Sequence, residues 1–342
     1  MNFHYLFQLE LSSSLHWYRY GNLGVQLFFI ISGFVIVQSL KGKTSKEFAV
    51  NRFIRLFPLF WIICTVTYIV TLIVPGVFSA HLSEYFINMT MFADPINEYS
   101  GNHLGLIDPS YWTLTVEIIF YIAIGVFTFL FSDKHIRYFL FFWLLVSVAA
   151  FIAHIDENFY MKLALVRHAP YFIFGGALAL IATKQAQNIY ERLFDLGLLL
   201  CSAGYAAYIH PRAIPPYTHP NVLDSTIVTG ILIIMFLGIF VLVHLSRYIT
   251  NSRIIGMLLI LGGLTYPLYL LHQTIGNIVI NYATNTFSIA WDSFAIFFEV
   301  CIILVAYAVF LSCKNTAYAT RIIHTSKKIA NISHAMLNVF VA

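Results

Sequence analysis

Charge is what this sequence has least of. Asp, Glu, Lys and Arg make up 10% of its 342 residues, while 60% are hydrophobic and the mean hydropathy is +0.80. A soluble core of this size could not hide that much apolar surface, so lipid must be the solvent for most of the chain. The same scarcity argues against a nucleic-acid partner. The net charge is +4, and the basic residues are spread through short loops instead of forming one patch.

Cysteine is sparse as well. Cys64, Cys201, Cys301 and Cys313 lie within or at the ends of apolar runs. Their spacing fits neither a disulfide framework nor a metal site, and they read as small buried side chains. HExxH, CxxC and paired-carboxylate spacings are absent, so no metal is expected. The opening "MNFHYLFQLE" lacks the basic region and small-residue cleavage site of a signal peptide.

What is present is a series of long apolar runs, near 22–40, 50–74, 109–131, 137–153, 164–183, 193–209, 225–245, 255–281 and 291–312. A crossing needs about 20 residues, with a minimum near 17. The runs predict an all-α, polytopic membrane helix bundle of nine complete spans, preceded by a short apolar stub at residues 1–11. One membrane domain is expected over 1–312, with a short tail at 313–342.

Placing "KGKTSKEFAVNRFIR" in the cytoplasm puts 15 of the 19 Lys and Arg residues on that side, including Arg137, Arg192 and the four in the tail. Arg19, Lys162, Arg167 and Arg212 fall outside. This asymmetry is the positive-inside signal, and it places the C-terminus in the cytoplasm. The longest outer loop, 75–108, ends in Asp108-Pro109, which suits an N-cap and a first helical position.

Ionisable residues within the spans stand out against this background, because each is costly to keep in hydrocarbon. Glu117 sits in "SYWTLTVEIIFYI", about 12 Å from its outer helix end at 1.5 Å per residue. His272, in "TYPLYLLHQTIG", and His4, in the stub, fall at a similar depth, and Glu299 is also near it. Thr113 and Thr115 precede Glu117. Such a set could abstract a hydroxyl proton for acyl transfer, or relay protons in a transporter. The bland alternative for each residue is a hydrogen bond between helices. Arg52 and Arg55, three apart at an inner helix start, share a face and suit phosphate, although basic anchoring alone predicts Arg there. Gly24 and Gly33 read as close helix packing.

Four stretches together carry a resemblance: "GNLGVQLFFIISGFVI" (21–36), "NRFIRLFPLFWI" (51–62), "SYWTLTVEIIFYI" (110–122) and "LTYPLYLLHQ" (264–273). In order and separation they resemble the acyltransferase-3 family of integral-membrane O-acyltransferases. The resemblance implies ten membrane helices. It also implies transfer of an acyl group, often acetyl, from cytoplasmic coenzyme A to a hydroxyl of an extracytoplasmic glycan or glycolipid.

The family's first-helix His matches His4 and its Arg-x-x-Arg matches Arg52 and Arg55. Its Ser-x-Ser-x-Glu matches Thr113, Thr115 and Glu117, with the hydroxyls retained. The resemblance thus implies His4 as general base, Glu117 with the two threonines organising the centre, and the arginines on acyl-CoA phosphate. His272 and Gln26 are the candidates for acceptor binding. Gln26 stands where the family usually has Asp. The family's first helix carries a basic residue some ten positions before its His, whereas three residues precede His4 here, so a partial first helix is expected. A transporter or flippase of a glycan or lipid precursor, and an inactive truncated homologue, are the alternative readings. A plasma (inner) membrane location is expected.

Overall fold

The computed structural model describes residues 20–21, 23–74, 81–100, 104–153, 167–213 and 224–278. The stub with His4, the run at 291–312 with Glu299, and the tail lie outside the described residues. Ten α-helices run through the described chain: α1 Gly24–Leu40, α2 Ser45–Ile73, α3 Leu82–Asn88, α4 Ala93–Ser100, α5 Trp112–Leu130, α6 Ile136–Ile152, α7 Ala169–Ala182, α8 Ile189–Ala213, α9 Ser225–Leu245 and α10 Ser252–Leu271. No strand occurs among the described residues. Among the described residues, six helices are long and apolar enough to cross a membrane, α2, α5, α6, α8, α9 and α10. The chain is an all-α, polytopic membrane bundle; the predicted spans from 22–40 to 225–245 each overlie one of its helices, the run 255–281 departs from the helix Ser252–Leu271 at its end, and 291–312 lies outside the described residues.

Local signals explain several boundaries. Thr44 and Glu47 form a reciprocal box at the start of α2: Glu47 N–H donates to Thr44 Oγ1 at 3.2 Å and Thr44 N–H to Glu47 Oε2 at 2.9 Å. Asp224 caps α9 by accepting from the N–H groups of Thr226 and Ile227. The Ile227 and Thr226 amides hold its carboxyl below the usual range.

The described residues divide into two compact units. The first draws on Met1–Phe53, Asp94–His103 and Tyr111–Thr250. Its centre is α7, packed on α1, α6 and α8. Every residue of α7 from Ala169 to Leu180 is buried, which suits a helix that is apolar on all sides. The contact of α1 with α7 is backbone to backbone. A Cβ on Gly33 would lie 2.2 Å from the Phe172 carbonyl oxygen, and one on Gly175 would lie 2.0 Å from that of Ile30. The expectation for Gly33 therefore holds. Gly24 differs, because a Cβ there meets nothing within 4 Å.

Near the starts of α6 and α8, Arg137 turns inward. Its Nε and Nη2 donate to Asp195 at 2.9 and 3.1 Å, and Nη1 lies 2.7 Å from Glu191. Arg137 and Asp195 are buried. Charge asymmetry alone reads Arg137 as a cytoplasmic-side residue; the structure gives it a buried partner in Asp195. Glu191 and Asp195 are four apart on one face of α8, so both reach the same guanidinium.

The second unit draws on Ile54–Ala93, Leu104–Ser110 and Asn251–Ala342. Here part of the long outer loop is folded. Asn88 donates to the carbonyls of Glu84 and Gly105 and accepts from Ile107 N–H, and Glu84 Oε1 accepts from Gly105 N–H. Asp108 begins a short 3-10 turn, Pro109–Tyr111, ahead of α5. It accepts from Ser110 N–H at 2.7 Å, as an N-cap should, and its other oxygen accepts from Thr274 N–H at 2.8 Å. The latter bond has a consequence for the predicted span 255–281. His272 N–H still reaches the Leu268 carbonyl, but Thr274 N–H is diverted to Asp108, and the chain turns at His272 and Gln273 before helix resumes at Thr274.

Substitutions at these contacts should separate close packing from mere apolarity. Gly175→Ala is expected to lower the thermal midpoint in detergent, through overpacking that costs about 1–3 kcal/mol, whereas Gly24→Ala leaves it unchanged. Asp195→Ala, which leaves the buried Arg137 short of its main partner, should cost about 3–5 kcal/mol. Equal midpoints for Gly175→Ala and Gly24→Ala would contradict the backbone contact.

Candidate active site

Glu117 lies on α5 within the first unit and is 3% exposed. Thr113, one turn earlier, shares its face, while Thr115 is rotated about 200° from it at 100° per residue. All three are buried. Two hydroxyls converge on one carboxylate oxygen. Ser32 Oγ, from α1, donates to Glu117 Oε1 at 2.6 Å, and Tyr121 OH, one turn further along α5, donates to the same atom. The second oxygen, Oε2, is buried with no hydrogen-bond partner. Among the described residues, Glu117 is therefore held by Ser32 and Tyr121 and not by Thr113 or Thr115.

A carboxylate oxygen left bare in a protein interior typically costs about 1–3 kcal/mol or more. A fold has little reason to keep one unless something else meets it. Oε1 is anchored and Oε2 is presented, so the group can orient a proton-bearing partner or stabilise a cation that forms beside it.

Tyr121 does a second job. The Arg52 guanidinium carbon lies 5.6 Å from the centroid of the Tyr121 ring and 5.5 Å from that of Phe48, within cation–π range. Arg52 Nη2 also donates to Ser39 Oγ at 2.5 Å. Arg52 is 9% exposed, whereas Arg55, one turn on along α2, is exposed. The pair therefore differs in environment although it shares a helix. Through Tyr121, Arg52 is one side chain removed from Glu117.

Gln26 is buried on α1. His272 lies in the second unit, half-buried at the turn that closes α10 rather than in mid-helix. Its Nδ1 is 2.7 Å from the Tyr269 carbonyl. A carbonyl only accepts, so Nδ1 is the donor in this contact. Among the described residues no cluster of three or more His, Cys, Asp or Glu could hold a metal ion.

An acyltransferase-domain family profile matches residues 2–313, nearly the whole chain. The chain belongs to the acyltransferase-3 family. That family is defined by an acyltransferase domain. A stretch of 117 residues is 30% identical to "Nodulation protein 10" of Rhizobium leguminosarum bv. viciae, over 30% of this chain and 31% of that protein's length. No solved structure matches.

Sequence reasoning missed Ser32 and Tyr121. Tyr121 was legible, since a hydroxyl four residues after an intramembrane acid lies on the same helix face. Ser32 was not, because its partner is 85 positions away. Tyr121→Phe and Ser32→Ala each remove one bond to a carboxylate, worth about 1.5–3 kcal/mol. Each is expected to lower acyl transfer per folded molecule by roughly 10- to 100-fold, and Tyr121→Phe keeps the ring that Arg52 faces. Unchanged rates in both variants would reduce these hydroxyls to structural roles.

Proposed function

We propose that the protein transfers an acetyl group from cytoplasmic acetyl-CoA to a hydroxyl of an extracytoplasmic glycan or glycolipid. The reading is supported by family membership and by one observation above all, the buried Glu117 carboxylate with one oxygen anchored by two hydroxyls and the other bare. In this proposal the His4 imidazole takes the acceptor hydroxyl proton as its oxygen attacks the thioester carbonyl. The carbon–sulfur bond then breaks, the proton passes to the departing coenzyme A thiolate, and the products are the acetyl ester and the free thiol. Glu117 stabilises the imidazolium while it exists. Buried Thr113 and Thr115 shape the same stretch of α5. His272 and Gln26 are proposed acceptor contacts.

Arg52 and Arg55 are the proposed partners of coenzyme A phosphate, where guanidinium makes charge-assisted, bidentate bonds. Their different surroundings predict different kinetics. Arg55→Ala should raise KM for acetyl-CoA with kcat nearly kept. Arg52→Ala should raise KM and also lower kcat, because the Tyr121 ring loses its cation. His4→Ala should cut transfer by about 10²–10⁴-fold with acetyl-CoA binding intact. The measurement is transfer of labelled acetyl from acetyl-CoA to the cell-surface glycan. Near-normal transfer by His4→Ala would overturn the assignment of the base.

The proposed setting is the inner membrane, with the loop around Lys43 and the C-terminus in the cytoplasm. In a background without native cysteines, Thr90→Cys should react with an impermeant thiol label on intact cells, and Lys43→Cys only after permeabilisation. The reverse pattern would invert the topology and remove the arginines from the donor side.

A further inference from the structure

A second set of buried polar groups lies in the first unit, apart from those already assigned. His168 immediately precedes α7, Tyr171 is in the first turn of α7, and His210 is near the end of α8. They are 3%, 0% and 7% exposed. Both ring nitrogens of His168, the Tyr171 hydroxyl and His210 Nδ1 are buried with no hydrogen-bond partner. Four unpartnered polar atoms on three neighbouring side chains are far from the rule for protein interiors, where nearly every such atom is paired. Nor do the side chains pair with one another. The His168 and Tyr171 rings are 6.5 Å apart between centroids, and the Tyr171 and His210 rings 6.0 Å.

The surroundings are aromatic. The His168 ring lies 4.9 Å from Phe29 and 5.4 Å from Trp112 between centroids. Phe29 sits three residues before Ser32 on α1, and Trp112 five residues before Glu117 on α5. The cluster is thus carried on the same two helices as the Glu117 centre, displaced by about 7.5 Å along α5. The displacement is toward the end at which α1, α5 and α7 begin and α8 finishes, which the charge asymmetry places outside.

We propose that His168, Tyr171 and His210 form a subsite for a polyhydroxylated ring of the acceptor, beside the Glu117 centre on its outer side. The chemistry matches. Neutral imidazole and phenol each offer both a donor and an acceptor, as sugar hydroxyls require, and aromatic faces such as that of Trp112 suit the apolar face of a sugar ring. Arg167, the residue before His168, lies near enough to act electrostatically on all three side chains, so an acidic substituent on such a ring is also met. The proposal rests on the reading of the acceptor as a glycan.

Tyr171→Phe is the decisive variant, because it removes a hydroxyl to which no protein group bonds. If the hydroxyl has only a structural place, this variant leaves binding unchanged and stability equal or higher. If it meets a ligand, binding weakens while the thermal midpoint holds. The probe is the oligosaccharide mixture released from the cell envelope by mild acid, titrated against the full-length protein in nanodiscs and followed by tryptophan fluorescence. Saturable binding is expected for the unaltered protein and for His4→Ala. The affinity should fall by about tenfold in Tyr171→Phe and in His210→Phe, as for one lost hydrogen bond, with acetyl-CoA affinity unchanged. Equal affinity in the altered and unaltered proteins, or no saturable binding at all, overturns the subsite. Binding that depends on Tyr171 without any acetyl transfer would leave the subsite standing and overturn the transferase reading of this chain.

Discussion

The close approach of α1 and α7 at Gly33 and Gly175 is the constraint on which the first unit depends. With each Cβ position lying about 2 Å from a facing carbonyl oxygen, no side chain can intervene and the two helices have one register. In lipid this matters more than in water. Hydrocarbon does not drive helices together, so small residues that admit dispersion contact between backbones do much of that work. Phe172, whose carbonyl faces Gly33, places its ring against Phe29 of α1 and Phe120 of α5, at 4.7 and 4.1 Å between centroids. Three helices are thereby locked at one level.

That lock sets the geometry around Glu117. Ser32 is the neighbour of Gly33, and its hydroxyl reaches Glu117 only because α1 is held against the bundle at that depth. A side chain at Gly33 would displace Ser32 as well as the helix. Tyr121 holds Glu117 from its own helix and meets Arg52 with its ring face, so the acid is tied to α1 by one hydroxyl and to a cation of α2 by one ring. Removing charge from water makes such arrangements expensive, and hydrogen bonds from neutral hydroxyls are the economical way to hold a carboxylate whose second oxygen stays available.

The first unit is also unequal at its two ends. The end where α6 and α8 begin carries a closed ionic set, Arg137 with Asp195 and Glu191, in which every partner is charged. The opposite end carries His168, Tyr171 and His210, neutral groups beside aromatic rings. A satisfied ion pair holds helices together and has little left to offer a ligand, whereas unpartnered neutral groups contribute little to the fold and retain their bonding capacity. The two ends thus divide architecture from recognition.

Much of this was legible in the residues alone. Apolar run lengths specify helices and lipid, because backbone groups in hydrocarbon must be satisfied within a helix and every run must be long enough to cross. Glu117 was conspicuous for the same reason, and four short motifs placed the chain in its family. Tertiary structure decided the rest. Helical periodicity reports which face a residue occupies but not what stands opposite, so Ser32 could not be matched to Glu117 across 85 positions. Arg52 and Arg55 looked equivalent by spacing, yet one is enclosed by Phe48, Tyr121 and Ser39 and the other is exposed. His272 reads as mid-helix, because nothing local announces that Asp108, 166 positions earlier, accepts a hydrogen bond from Thr274 N–H where the helix breaks. Local pattern carries the cost of polar groups in lipid; only the packed chain supplies the partners that meet it.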